Sequence, residues 1–278
     1  MCFGVRDALD LAFAEPRPEA TTIHGELVHN REILDRLRAR GFHMQGEDQR
    51  HRLPMTNRIL VTAHGISDRE RRRLEDAGHQ LLDTTCPLVV RVHKAARDLQ
   101  AAGHHVIVIG RQGHVEVRGI VGDLDHFHVV DRVEAVQRYL YDRLGVVCQS
   151  TFMVAAAAEI VAAIRAMNPD AEVCFVDTIC EPTKQRVWAV RALAQRVGVM
   201  VVVGGRNSNN TRELVATCEA LGCRARHVQG PGDLKLRWFR GVGVVGLTAG
   251  TSTLTETIDR VEAALAGMQV AGRWSEVG

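Results

Sequence analysis

The chain is 278 residues long with a mass of 30.6 kDa, which suits one large domain or two to three small ones. Thirty-five Lys and Arg against thirty-three Asp and Glu leave a net charge of +2, which argues against a basic nucleic-acid footprint and against an acidic tail. Hydrophobic residues at 46% and charged residues at 24% are those of an ordinary globular protein, and aromatics at only 4% leave the core to Val, Ile, Leu and Ala.

In chain order, an amphipathic stretch at 5–14 follows Cys2, and a helix at 31–40 ends before Gly41, a plausible helix-terminating glycine. A strand at 58–62 (RILVT) precedes a helix opened by Ser67, with Glu70 three residues on as in a capping box. The arginine run 69–73 reads as a solvated face of that helix. There follow a helix at 88–101, strands at 105–109 (HVIVI) and 145–148, a helix at 151–167 and a strand at 173–176. A helix at 187–196, a strand at 199–203 (VMVVV), a helix at 211–221, a strand at 242–247 and a helix at 253–268 complete the chain. The strands are β-branched and almost continuously apolar, as strands covered on both faces are. Strands alternating with helices predict an α/β fold built on parallel sheets.

Two pentads repeat. Residues 83–87 read Asp-Thr-Thr-Cys-Pro, residues 177–182 read Asp-Thr-Ile-Cys-Glu-Pro, and each follows an apolar segment and opens a helix. Cys2 also directly precedes an amphipathic stretch, and the spacings between Cys2, Cys86 and Cys180 are 84 and 94. Three α/β units of about 90 residues are expected, at 1–86, 87–176 and 177–266, with the tail 267–278 packing back on the first. The seven cysteines are too scattered for a disulfide framework, and no Cys-x-x-Cys is present. Neither a signal peptide nor an apolar run of the roughly 18 residues a membrane helix needs is visible. A reducing, cytoplasmic setting without a membrane is expected. A helix start lowers a thiol's pKa and favours the metal-binding thiolate. Three such thiolates suit either an iron–sulfur cluster with one iron left open or a Cys₃His zinc site. Cys148, Cys174, Cys218 and Cys223 lie inside strand or helix patterns and read as buried apolar residues.

The loops after strands carry the remaining polar candidates: His29, His64, His114 and Glu116, the run Asn207–Thr211 with Ser208, Asn209 and Asn210, and Thr248–Thr253 with Ser252. Ligands of open α/β sheets bind at the carboxyl ends of strands, and small polar residues at helix starts receive anions. The same Ser208, Asn210 and Ser252 also read as helix caps, and the two roles use the same amides. Glu116, the one acid in these loops with a catalytic look, is the candidate proton donor. The other histidines have weaker contexts, and the glycine pattern after residue 203 is not a dinucleotide fingerprint.

Together these residues resemble the 4-hydroxy-3-methylbut-2-enyl diphosphate reductase family over nearly the whole chain. The likeness rests on Cys2-Phe-Gly-Val5, Leu27-Val-His-Asn-Arg31, Ala63-His-Gly65, Asp83-Thr-Thr-Cys-Pro-Leu-Val89, Gly113-His-x-Glu-Val117, Gln149-Ser-Thr151, Ile179-Cys180, Gly205-Arg-Asn-Ser-x-Asn210 and Thr248-Ala-Gly-Thr-Ser252. The resemblance implies three domains related by pseudo-threefold symmetry around a central 4Fe-4S cluster, with Cys2, Cys86 and Cys180 as its ligands. His29, His64 and His114 would line the pocket. Ser208, Asn209, Asn210 and Ser252 would hold the diphosphate, Glu116 would supply protons, and Ser150 would stand near the substrate hydroxyl. The implied reaction removes an allylic hydroxyl with two electrons and two protons, fed by a ferredoxin or flavodoxin in the non-mevalonate isoprenoid pathway.

The family carries a strand and a Pro-Arg-Gly-Phe-type segment before its first cysteine, whereas Cys2 is here the second residue, so a start upstream of Met1 is one expectation. Ser150, Asn209, Val115, Leu254 and Lys184-Gln-Arg-Val187 depart from the family's usual residues. They motivate two alternatives: a divergent paralogue acting on another allylic diphosphate, or a non-catalytic iron–sulfur protein.

Overall fold

The computed structural model describes residues 1–270; of the expected tail packing, 271–278 lie outside the described residues. The elements run α1 (Phe3–Ala14), β1 (Thr21–His24), α2 (Arg31–Ala39), β2 (His43–Gln45), β3 (Arg58–Val61), α3 (Asp68–Asp76), β4 (Gln80–Asp83), α4 (Pro87–Ala101) and β5 (His105–Ile109). They continue with α5 (Val115–Val121), β6 (Phe127–Val130), β7 (Arg143–Cys148), α6 (Val154–Met167), β8 (Glu172–Val176), α7 (Glu181–Ala194), β9 (Val199–Val203), α8 (Asn209–Ala220), β10 (Arg224–Val228), β11 (Val245–Ala249) and α9 (Thr255–Val270).

The strands form three wholly parallel sheets, ordered β2-β1-β3-β4, β6-β5-β7-β8 and β10-β9-β11. In each, the first strand of the group is central, the second lies beside it at an edge, and the third returns to its other side. The central strands β5 and β9 are buried at every residue, which is why their sequences are unbroken apolar runs. Apolar cores cover both faces of the second sheet, through Ile107, Ile109, Leu144 and Ile160 on one side and Val92, Val106, Val108 and Ile120 on the other. The third sheet is covered likewise, by Val190, Met200, Val202 and Leu214 and by Val199, Val201, Phe239 and Val261. Among the described residues no helix is long and apolar enough to cross a membrane.

The chain forms two compact units. One holds residues 3–28 and 32–180, with the first two sheets; the other holds 1–2, 29–31 and, of the described residues, 181–270, with the third. Several local expectations shift. Helix α7 begins at Glu181, six residues before the expected start, because Pro182 fits a first helical turn without needing its missing N–H. The last strand is β11 at 245–249 rather than 242–247, with Gly241 and Gly243 kept outside it. Glu116, expected on a loop, lies in the first turn of α5. The arginine run 69–73 is not simply solvated: Arg69 pairs with Asp125, Arg71 with Asp83 and Arg73 with Glu70.

Candidate active site

The two pentads are the same piece of structure. Asp83 Oδ1 accepts from the Thr85 amide at 2.9 Å, and Asp177 Oδ1 from the Ile179 amide at 3.1 Å. The Thr84 hydroxyl donates to the carbonyl of Val61, the last residue of β3, at 2.6 Å; the Thr178 hydroxyl donates to that of Cys148, the last residue of β7, at 2.5 Å. The cysteine amides then donate to carbonyls two residues further along, Cys86 to Ala63 at 3.1 Å and Cys180 to Ser150 at 2.8 Å. In the other compact unit, Cys2 repeats the arrangement: its amide donates to Thr251, two residues beyond the end of β11, at 3.0 Å. Each of the three cysteines is thus hung from the carboxyl end of a strand by the same bond, directly before a helix. Each is half-buried and outside any disulfide.

Cys86 stands at the cap position of α4 without its side chain capping the helix. Gly4 faces it, and a Cβ at residue 4 would clash with the Cys86 sulfur. Asp83 keeps the turn in its ionised form: burial pushes its carboxyl up, but hydrogen bonds from the Thr85 hydroxyl and amide and from Arg71 overcome this and leave it below the usual carboxylate range.

The same compact unit gathers His64, His114, Glu116 and Ser150. His114 caps α5, its Nδ1 accepting from the Glu116 amide at 3.2 Å, so in the neutral ring the proton sits on Nε2. The rings of His64 and His114 meet edge to face with centroids 5.7 Å apart. Glu116 is 2% exposed, and its Oε1 accepts from the Ser150 amide at 2.6 Å. Since the Ser150 carbonyl holds the Cys180 amide, one chain of contacts runs from His114 through Glu116 and Ser150 to Cys180. Gln149, fully buried beside Ser150, accepts from the Arg111 amide and braces the loop before α5.

The other unit gathers the small polar residues. Ser208 caps α8, its hydroxyl accepting from the Thr211 amide at 3.3 Å. Asn210 is 2% exposed; its Oδ1 accepts from the Thr251 amide at 2.9 Å, while its Nδ2 is buried with no hydrogen-bond partner among the described residues. Ser252 is buried, and its carbonyl accepts from Asn30 Nδ2 at 2.8 Å, which ties the His29–Asn30 segment to this end of the sheet. The His29 carbonyl lies against Gly205. Asn209 is half-buried in the first turn of α8, and its Oδ1 accepts from Arg212. Of the expected caps, Ser208 is one and Asn210 is not. Sequence reasoning missed Asn30 and the structural part played by Thr84 and Thr178; the repetition of the pentads was the available signal for the latter pair.

The four other cysteines divide as their patterns predict for three of them: Cys148, Cys218 and Cys223 are buried and Cys174 is half-buried. Burial pushes the Cys218 thiol up to about 11, with Cys223 adding to the shift, so Cys218 stays protonated and inert. Among the described residues no group of three or more His, Cys, Asp or Glu side chains is gathered closely enough to form a ready metal site. The case for the three cysteines is therefore their shared anchoring, their placement at helix starts and the room kept for the Cys86 sulfur.

The profile of a family described as LytB protein matches residues 1–266. A 4-hydroxy-3-methylbut-2-enyl diphosphate reductase of Methylibium petroleiphilum is 36% identical over 272 residues, covering 94% of this chain and 82% of that protein. A solved structure of (E)-4-hydroxy-3-methyl-but-2-enyl diphosphate reductase, described as the terminal enzyme of the non-mevalonate pathway, is 33% identical with a TM-score of 0.67 over 96% of both chains. The corresponding reductase of Plasmodium falciparum, at 24% identity, shares the fold with a TM-score of 0.87 over 96% of this chain and 85% of that one.

Proposed function

The chain belongs to the LytB protein family, and from that premise we propose that it reductively removes the allylic hydroxyl of 4-hydroxy-3-methylbut-2-enyl diphosphate. The observation that carries the reading is the threefold repetition at the cysteines: three thiols hung by one hydrogen-bond pattern from the ends of β3, β7 and β11. Nothing in the packing of an ordinary α/β protein requires that. It supports three repeated units at 1–86, 87–176 and 177–266, each contributing one ligand to a shared cofactor.

The donor set fits a 4Fe-4S cluster with three protein ligands, Cys2, Cys86 and Cys180. Each cysteine stands directly before a helix with its amide anchored beyond a strand end, and the missing Cβ at Gly4 leaves room for the Cys86 sulfur. When bound, such a cluster supplies electrons singly and a Lewis-acidic iron with an open position.

The chain's own residues bind, orient and protonate. Ser208, Asn210 and Ser252, with Asn209 beside them, receive diphosphate oxygens at the start of α8, where free amides and the helix dipole favour anions. The unpartnered Asn210 Nδ2 is a donor awaiting such an acceptor. His29, His64 and His114 add donors, His114 through Nε2. Fixing the diphosphate holds the allylic end in place, which is worth more than affinity alone. Glu116, with Ser150, delivers a proton to the departing oxygen. The C–O bond breaks, oxygen leaves as water, and two electrons and a second proton complete isopentenyl or dimethylallyl diphosphate. The electrons come from a ferredoxin or flavodoxin.

The test is anaerobic cluster reconstitution followed by turnover with reduced methyl viologen. The expected result is formation of both diphosphate products. A protein with full iron and sulfide content that leaves the substrate unchanged overturns the assignment.

A further inference from the structure

The charge of the chain is unevenly placed. Residues 224–240 hold five Lys and Arg (Arg224, Arg226, Lys235, Arg237 and Arg240) against a single acid, Asp233, so the rest of the chain is net negative. Asp233 is engaged elsewhere, its Oδ2 accepting from the Gln229 amide at 2.7 Å. Among the described residues none of the five cations has a carboxylate within ion-pair distance, in contrast to the paired arginines of α2 and α3.

The geometry gathers part of this charge on one surface. Arg224 and Arg226 alternate with Ala225 along β10, an edge strand of the third sheet. Arg226 lies over the Trp238 ring at 5.6 Å, and Lys235 lies over the same ring at 5.8 Å. The indole thus holds two like charges close together, and Arg237 and Arg240, both exposed, flank it in the chain. Cations on an edge strand are often only a guard against strand pairing. Here three of the five lie off the strand, in the segment 235–240, where no edge needs guarding.

We infer that this surface, built on Arg226, Lys235, Trp238, Arg237 and Arg240, docks an acidic one-electron carrier protein; the inference rests on the reductase reading above. That reaction needs two electrons, which single-electron carriers deliver in two encounters. Complementary charge raises encounter rates by roughly 10- to 1,000-fold and suits a brief, repeated contact. A nucleic acid fits less well, because the patch offers a single half-buried aromatic ring, already in contact with two cations, rather than the series of rings on which successive bases stack.

The experiment compares reduced bacterial ferredoxin with reduced methyl viologen as donors to the reconstituted enzyme. Its variants are Arg237→Glu/Arg240→Glu and, as a charge-matched reference, Arg72→Glu/Arg165→Glu, both exposed positions elsewhere. The ratio of ferredoxin-driven to viologen-driven turnover is expected to fall about tenfold or more in the first pair, through a higher KM for ferredoxin, and to hold in the second. The wild-type ratio is expected to fall steeply with added salt. An unchanged ratio in the first pair, or an equal fall in both, overturns the proposal. So does tighter binding of phosphatidylglycerol vesicles or of an oligonucleotide than of ferredoxin. Should no substrate turn over even with viologen, the reductase reading fails on its own; titration with oxidised ferredoxin then decides the surface, a Kd unmoved by Arg237→Glu/Arg240→Glu counting against it.

Discussion

A carboxyl group with 2% exposure, bonded at 2.6 Å to a backbone amide, is either structural or catalytic, and Glu116 can be made to declare which. Gln at that position keeps an oxygen for the Ser150 amide and loses only the proton. Glu116→Gln is therefore expected to fold normally, with kcat lower by about 10² to 10⁴ and the substrate KM nearly unmoved. A purely structural Glu116 would leave kcat intact in any variant that folds. Asn210 offers the complementary case. Asn210→Asp preserves the acceptor for the Thr251 amide and replaces the buried Nδ2 donor with a negative oxygen, so KM should rise tenfold or more, about 1.4 kcal/mol of lost binding per factor of ten, and the melting midpoint should fall because the new charge is buried. Cys86→Ser should abolish the visible iron–sulfur absorbance while leaving far-ultraviolet circular dichroism unaltered; retained absorbance would remove Cys86 from the ligand set. These residues stand out in the sequence because a thiol, an acid and short amides at strand ends have few uses, and the structure sets each of them at the carboxyl end of a strand or the start of a helix. The burial of Glu116 does not stand out, since a four-residue run reading Gly-His-Val-Glu shows nothing of the short helix α5 that closes over it.

At the scale of elements, legibility followed burial. Strands β5 and β9, central and covered on both faces, match their expected bounds residue for residue. The strands that went unforeseen include β2, β4, β6 and β10, all at sheet edges, where polar residues such as Gln80, His128 and Arg224 interrupt any apolar run. The other, β1, is central but only four residues long, and its buried Thr21, Thr22 and His24 look polar in sequence. His24 is accommodated by partners rather than by hydrophobicity: Gln45 Oε1 lies 2.6 Å from Nδ1 and Glu70 Oε1 3.1 Å from Nε2. The pentads were legible as a repeat, but their meaning needed the strand ends they bind. Packing between elements also explains two glycines beside the start of α8. A Cβ at Gly204, after β9, or at Gly250, after β11, would strike the Thr211 hydroxyl of α8. Gly204→Ala is expected to cost about 1–3 kcal/mol of stability in urea unfolding and to weaken substrate binding by displacing the start of α8. Thr211→Ala in the same chain removes the obstructing atoms and should restore most of the loss; a double variant no better than Gly204→Ala would show that the contact is not the cause.

Across the molecule, buried ionisable groups set an acid limit in two stages. Burial holds His93 down at about 4, an effect that Asp123 and Asp68 oppose and Arg97 and Arg71 reinforce. Burial holds His105 at about 4 as well, helped by the nearby His128 and His126. Both folded values lie below the usual 6.5 of an exposed histidine, so between pH 6.5 and 4 the unfolded chain binds more protons than the folded one. Stability therefore falls as pH drops through that window and stops falling from this source below about 4. Glu70 acts lower. Burial would raise its carboxyl, but hydrogen bonds from Arg73 and His24 prevail and hold it at about 2, so its contribution persists to about pH 4.5 and is lost toward pH 2. The first stage bears on function through position. His93 projects from α4 against Gly119 of α5, its Nε2 unpartnered among the described residues, and these two helices begin at Cys86 and at the His114–Glu116 cap. Protonating His93 places a charge between the helices that begin at Cys86 and at His114. Urea unfolding of the wild type at pH 7 and pH 5 should therefore show a loss to which His93 alone adds on the order of 1–2 kcal/mol. His93→Leu, which cannot charge, should lose that much less over the same interval and should keep its turnover to lower pH than the wild type. Parallel stability curves for the two proteins would mean that His93 takes up its proton as readily in the folded state as in the unfolded chain, and that the contact with Gly119 tolerates the charge.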